Sequence, residues 1–126
     1  MQNYLLVGIG ASIGGMFRYG ISKHIAKIIP ILYPFGTLAV NVIGSFIIGL
    51  LIFYFADKGY ISPEAKLLLT TGFCGGFTTF STFSLETMNL LQDSQYKLAG
   101  VNIVLNVVLS LGAVILAFYL SKVMKG

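Results

Sequence analysis

GFCGGFTTFSTFS, residues 72–84, is the stretch on which the reading of this chain turns. It holds three glycines (Gly72, Gly75, Gly76), followed by Thr78, Thr79, Ser81, Thr82 and Ser84 interleaved with Phe77, Phe80 and Phe83. Each hydroxyl costs free energy in hydrocarbon unless it is partnered. A run this apolar that still spends so many positions on hydroxyls and on backbone freedom is a poor plain anchor and reads as the lining of something. The adjacent Gly75 and Gly76 weaken a helix and predict a local break, which frees backbone groups that lipid cannot satisfy. Such a break is tolerable only inside protein or around an ion.

The chain around this stretch has 126 residues, 56% of them hydrophobic and 10% charged, with a mean hydropathy of +0.89. A soluble domain of this size does not carry such a surface. Uncharged runs cover residues 28–56, 67–85 and 98–121, and a further run, 1–17, resumes after Arg18 through Ser22. Crossing the hydrocarbon core of roughly 30 Å takes about 20 helical residues. The expectation is an all-α, multi-pass protein of the cell inner membrane or plasma membrane, with four transmembrane helices forming a single domain over residues 1–126. The connections are too short for any domain outside the membrane. The first run lacks the basic segment of a secretory signal and precedes three more spans, so it is read as the first helix.

Several function classes drop out on composition. Cys74 is the lone cysteine; it has no disulfide partner and no metal-ligand spacing, and its expected role is packing. The net charge is +4, but the lysines are scattered, so nucleic-acid binding has no support. No nucleophile and base pair or metal cluster suggests an enzyme. The charges instead inform topology. With both termini on one side, that side holds Lys58, Lys66, Lys122 and Lys125, and the other holds Arg18, Lys23, Lys27 and Lys97. Membrane proteins orient by their Lys/Arg imbalance, and here the sides balance. The chain is therefore suited to insertion in both directions and to pairing with an oppositely inserted copy; the plainer reading, one orientation set by charge position or the N-terminal amine, stays open.

Along the chain, Gly10 and Gly14 have the spacing that lets membrane helices approach closely. Arg18 follows one turn later, and an arginine within a span snorkels, plays a structural part or faces a wet anion vestibule. Lys23, His24 and Lys27 are read as interfacial, in a short turn before Pro30. The second helix starts after Pro34 and carries Thr37, Asn41 and Ser45 at i, i+4 and i+8, a polar stripe that faces protein or water. Asn41 suits helix-to-helix glue, and its two N–H donors also suit an anion. Ser62 or Pro63 begins the third helix. Beyond its break, Phe80 and Phe83 share one face, while Thr78, Thr82 and Glu86 lie four apart on another. Phenylalanines in a membrane mostly pack, yet the ring edge is electropositive and can meet a dehydrated anion. Glu86 is the only acid inside a predicted span, a functional candidate that could also cap the polar track at the surface. The fourth helix repeats the stripe with Asn102, Asn106 and Ser110. Three polar lines are more than glue requires and match a narrow pathway.

At these positions the chain resembles the Fluc (CrcB) fluoride channels, through residues 72–84, GTLAVN at 36–41 and the Gly14, Arg18, Tyr19 pattern in GGMFRY. The resemblance implies a dual-topology antiparallel homodimer that passively exports fluoride through two pores, with a structural sodium ion buried at its centre. It assigns Phe80, Phe83 and Asn41 to the pore, Ser81, Thr82 and Glu86 to a polar track, and Ser110 to the fourth helix's contribution; Thr37, on the Asn41 stripe, joins this set. It also implies that the backbone carbonyls of Gly75 and Thr78 hold the sodium. Fluoride is small, strongly hydrated and a strong acceptor, so a pore must replace its water with donors and positive edges and still release it, which a fixed lysine would hinder. The rival from another class is a small four-helix multidrug exporter. That would want a titratable carboxylate in its first helix, and none is present. A passive assembly subunit is a third reading, and it needs no polar stripes.

Overall fold

A computed structural model describes residues 1–126. Helix α1 runs over Gln2–Ile28 and α2 over Phe35–Ala56, its last turns, Leu51–Ala56, wound more widely with i→i+5 bonds. Helix α3 covers residues 63–77, with a similar wide stretch at Leu68–Cys74. Helix α4 is Phe80–Gln92 and α5 is Tyr96–Lys125. The sequence thus makes four passages, with α3 and α4 as two halves of the third. Helices α1, α2 and α5 are each long and apolar enough to cross a membrane alone.

Local chemistry explains the boundaries. Ser62 caps α3, its Oγ accepting from the Ala65 N–H at 3.1 Å, and Pro63 occupies the first helical position, where a missing N–H costs nothing. Helix α1 ends just before Pro30. Lys23, His24 and Lys27 therefore lie within its last turns, and not in a separate turn as the sequence suggested, because nothing before Pro30 interrupts the helical pattern. At the opposite end of the bundle, the Lys125 ammonium donates to Asp57 at 2.7 Å and ties the C-terminus of α5 to the end of α2. That hydrogen bond, with the lysine charge, holds the Asp57 carboxyl below its usual range.

Small residues set the packing. A methyl group added at Gly10 or Gly14 would run into the α3 backbone at Leu68 and Phe73, and one added at Gly76 would meet Ala11. Helices α1 and α3 are thus in backbone contact, as the glycine spacing predicted. Helix α2 packs most extensively on α5, with Gly49 facing Ala117. The residues sealed inside are small or polar: Val40, Asn102, Ala117 and Ser121 have no accessible surface. Large apolar side chains such as Leu5, Ile9, Val104, Leu111 and Leu116 point outward, the arrangement of a protein whose solvent is lipid.

The third passage breaks later than the glycines suggested. Gly75 and Gly76 are helical, and the chain becomes extended at Thr78 (φ −94°, ψ 163°) and Thr79 (φ −155°, ψ 122°). The reason lies in the threonines. β-Branched residues favour extended backbone, and Thr79 starts the next helix as an N-cap, its Oγ1 accepting from the Thr82 N–H at 3.1 Å. The Thr78 hydroxyl donates back to the Cys74 carbonyl at 2.9 Å and closes the end of α3. As a result Thr78 does not share a helical face with Thr82 and Glu86, which belong to α4.

Candidate functional site

A break in mid-span leaves N–H and C=O groups that lipid cannot serve, and the partners of these groups define the site. The Asn41 amide of α2 reaches Thr79 and pairs with it twice: Asn41 Oδ1 accepts from the Thr79 N–H at 2.8 Å, and Asn41 Nδ2 donates to the Thr79 carbonyl at 3.1 Å. This clasp fixes the orientation of the amide. The second Nδ2 hydrogen goes to Asn106 Oδ1 on α5 at 2.9 Å. Asn106 Nδ2 in turn donates to the backbone and side-chain oxygens of Asn102, at 2.9 and 3.0 Å. Asn102 Nδ2 donates to Thr87 Oγ1 at 3.0 Å, and Thr87 donates to the Phe83 carbonyl at 2.8 Å. A continuous line of hydrogen bonds thus runs from the break, across α2 and α5, and back to α4.

Both donors of Asn41 are spent in this line, which is the helix-to-helix role among the two readings its sequence position allowed. Asn41 thus shapes the site. Asn102 and Asn106, noted in the sequence only as a stripe, are the buried centre of the network. Their i, i+4 spacing was the available signal.

Against this framework lies a groove of about 280 Å³ lined by Asn41, Ser45, Thr78, Thr79, Phe80, Phe83, Asn106, Val107 and Ser110. Five of the expected site residues, Asn41, Thr78, Phe80, Phe83 and Ser110, meet here, and no charged side chain lines it. The Phe80 and Phe83 rings stand edge to face, centroids 5.2 Å apart. Phe83 is 8% exposed and Phe80 70%, so one ring is set in the wall and the other stands free at the rim. Ser110 Oγ is buried with no hydrogen-bond partner, which is costly unless something else supplies one.

Thr37 and Glu86 lie elsewhere. They line a second cavity of about 410 Å³ by the 29–34 connection, together with Tyr33 and Asn89. Ser81 and Thr82 line neither cavity; the Ser81 hydroxyl lies 3.4 Å from that of Thr79 on an exposed face. Arg18 Nε donates to the Gly76 carbonyl at 2.9 Å, closing the end of α3, which is the structural role among the readings its sequence position allowed. Gly75 and Thr78 line a third concavity with Ser45, Thr71 and Cys74. The carbonyls of Gly75 and Thr78 receive none of the hydrogen bonds that bridge the break.

Residues 5–118 match the family described as CrcB-like protein, Camphor Resistance (CrcB). The chain belongs to the CrcB family. Its relatives include the fluoride-specific ion channel FluC of Sulfurovum sp. (strain NBC37-1), 46% identical over the whole of both chains. That of Serratia proteamaculans (strain 568) is 48% identical over 95% of this chain and 94% of its own. That of Shewanella sp. (strain ANA-3) is 48% identical over 88% of this chain and 89% of its own. The CrcB relatives are named as channels and not as enzymes, in agreement with a site built from amides, hydroxyls and phenyl rings.

Proposed function

We propose that this chain is a fluoride channel that lets the anion leave the cytoplasm down its own gradient. The observation that carries the reading is the uncharged groove in which Phe80, Phe83 and the unpartnered Ser110 hydroxyl meet. Ring edges and a hydroxyl offer a dehydrated anion partial positive charge without a full countercharge, so the ion can be held and released. Asn41 acts by holding the break that presents these groups, and Ser81, Thr82, Thr37 and Glu86 extend a polar track to either side. Arg18 contributes positive potential at one mouth while it caps α3.

The working unit in this reading is an antiparallel homodimer in the lipid bilayer, with two pores. The balanced lysine and arginine count supports dual insertion. The exposed Phe80 ring and the open face at Gly75 support a covering second copy. A sodium ion fits between copies at the carbonyls of Gly75 and Thr78: their oxygens are not consumed by the break, and neutral oxygen donors suit a hard cation. It would supply charge compensation for those carbonyls and hold the two chains together.

Fluoride efflux from liposomes holding the purified protein, read by a fluoride electrode with chloride as the control, tests the function. Efflux well above protein-free liposomes is expected for fluoride alone; fluoride release no faster than from empty liposomes would overturn the reading.

A further inference from the structure

The second cavity contains an unresolved polar account. Tyr33 is 7% exposed, and its hydroxyl is buried with no hydrogen-bond partner. Glu86 lines the same cavity, and its Oε1 is likewise buried and unpartnered. A buried O–H without an acceptor is strongly disfavoured, and so is a buried carboxyl oxygen without a donor; the two share a chamber without bonding to each other, which leaves the hydroxyl open to a ligand. The Tyr33 ring is fixed by an edge-to-face contact with Phe35, centroids 4.8 Å apart, so the hydroxyl is positioned by the aromatic frame around it.

We propose that the Tyr33 hydroxyl is a donor to the permeating anion in the chamber it shares with Thr37 and Glu86, ahead of the Phe80–Phe83 groove. This rests on the fluoride reading above and adds a residue to it. A carboxyl at the chamber wall repels an anion unless a donor stands between them. The phenol donates to no protein group, Glu86 included, so its hydrogen is free for an arriving anion. Burial, and after it the Glu86 charge, raises the Tyr33 phenol above its ordinary value, so the group keeps its proton and remains a donor throughout the neutral range.

The test is Tyr33→Phe, which keeps the ring and its contact with Phe35 and deletes only the hydroxyl. Fluoride efflux should be measured from low to saturating fluoride, beside thermal unfolding in detergent. The fluoride concentration for half-maximal flux should rise about tenfold, the loss expected for one donor to a charged acceptor, with the maximal flux and the unfolding temperature little changed. A tyrosine band in the near-ultraviolet difference spectrum on adding fluoride, absent with chloride, should vanish in the variant. An unchanged half-maximal concentration, or a fall in maximal flux and unfolding temperature alone, would make Tyr33 a packing residue and overturn the inference. Those outcomes presuppose wild-type fluoride flux; its absence would instead remove the fluoride reading, and the inference with it.

Discussion

Asn41 holds the break in the third passage, and Asn106 holds Asn41. Removing Asn106 leaves a hydrogen of the Asn41 amide without an acceptor in a place water does not reach freely. Asn106→Leu is expected to destabilise the chain by about 1–3 kcal/mol, seen as a lower unfolding temperature. Asn102→Leu cuts the same line one step further on. Because the two share one network, the double variant should lose clearly less than the sum of the singles; strict additivity would mean that the asparagines act independently. Phe80 provides the opposite case. Its ring stands free of the fold, so Phe80→Ile should leave stability almost untouched while fluoride flux falls sharply, since the aliphatic side chain has bulk but no electropositive edge. Equal flux in wild type and variant would return Phe80 to packing.

At the scale of the element, the third passage separates what sequence could and could not convey. Its polar and aromatic content was plain, as was the need for a break, since Gly75 and Gly76 stand together in a span. The position of the break was not, because two effects compete there. Glycine weakens a helix, but close packing against α1 repays it at Gly76, whereas extended backbone and capping at Thr78 and Thr79 are decided by hydroxyl partners that only the fold supplies. For the same reason the sequence left Asn41 open between helix-to-helix glue and anion donor, since the Thr79 backbone and Asn106 lie 38 and 65 residues away in the chain. The two glycines consequently have different fates. Gly76→Leu should prevent α1 and α3 from closing and yield little folded protein. At Gly75 an added side chain meets nothing within 4 Å, so Gly75→Leu should fold as a single chain yet run as a monomer on gel filtration and pass no fluoride. A Gly75→Leu protein that is dimeric and fully active would exclude a second copy from that face.

For the molecule as a whole, length, apolar composition and the spacing of Gly10 and Gly14 were enough to read four passages and a close approach by the first helix, while its partner, the third passage, came only from the fold. The division of the candidate polar track between two cavities was not legible, because Thr37 and Asn41 fall on one stripe and separate only when Tyr33 and the 29–34 connection close over the first of them. Orientation is the property that remains open to direct manipulation. Several lysines added at the C-terminus should force one direction of insertion. Fluoride efflux from cells should then collapse and return when a copy biased the other way is co-expressed. Full activity from the single forced orientation would rule out antiparallel pairing.

The two halves of the third passage also bear on how the chain enters a bilayer during synthesis. Helix α3 has 15 residues over positions 63–77 and α4 has 13, lengths of about 22 and 20 Å at 1.5 Å per residue, each short of a hydrocarbon core of roughly 30 Å. Neither half is a self-sufficient stop for the insertion machinery, and at their junction the Thr79 backbone is satisfied by Asn41, which Asn106 holds in turn. Helix α2 emerges from the ribosome before the break, but Asn106 emerges after it. The third passage must therefore wait in a provisional state, half docked, until the last helix arrives, which makes this short chain dependent on its C-terminal end for committing its middle to the membrane.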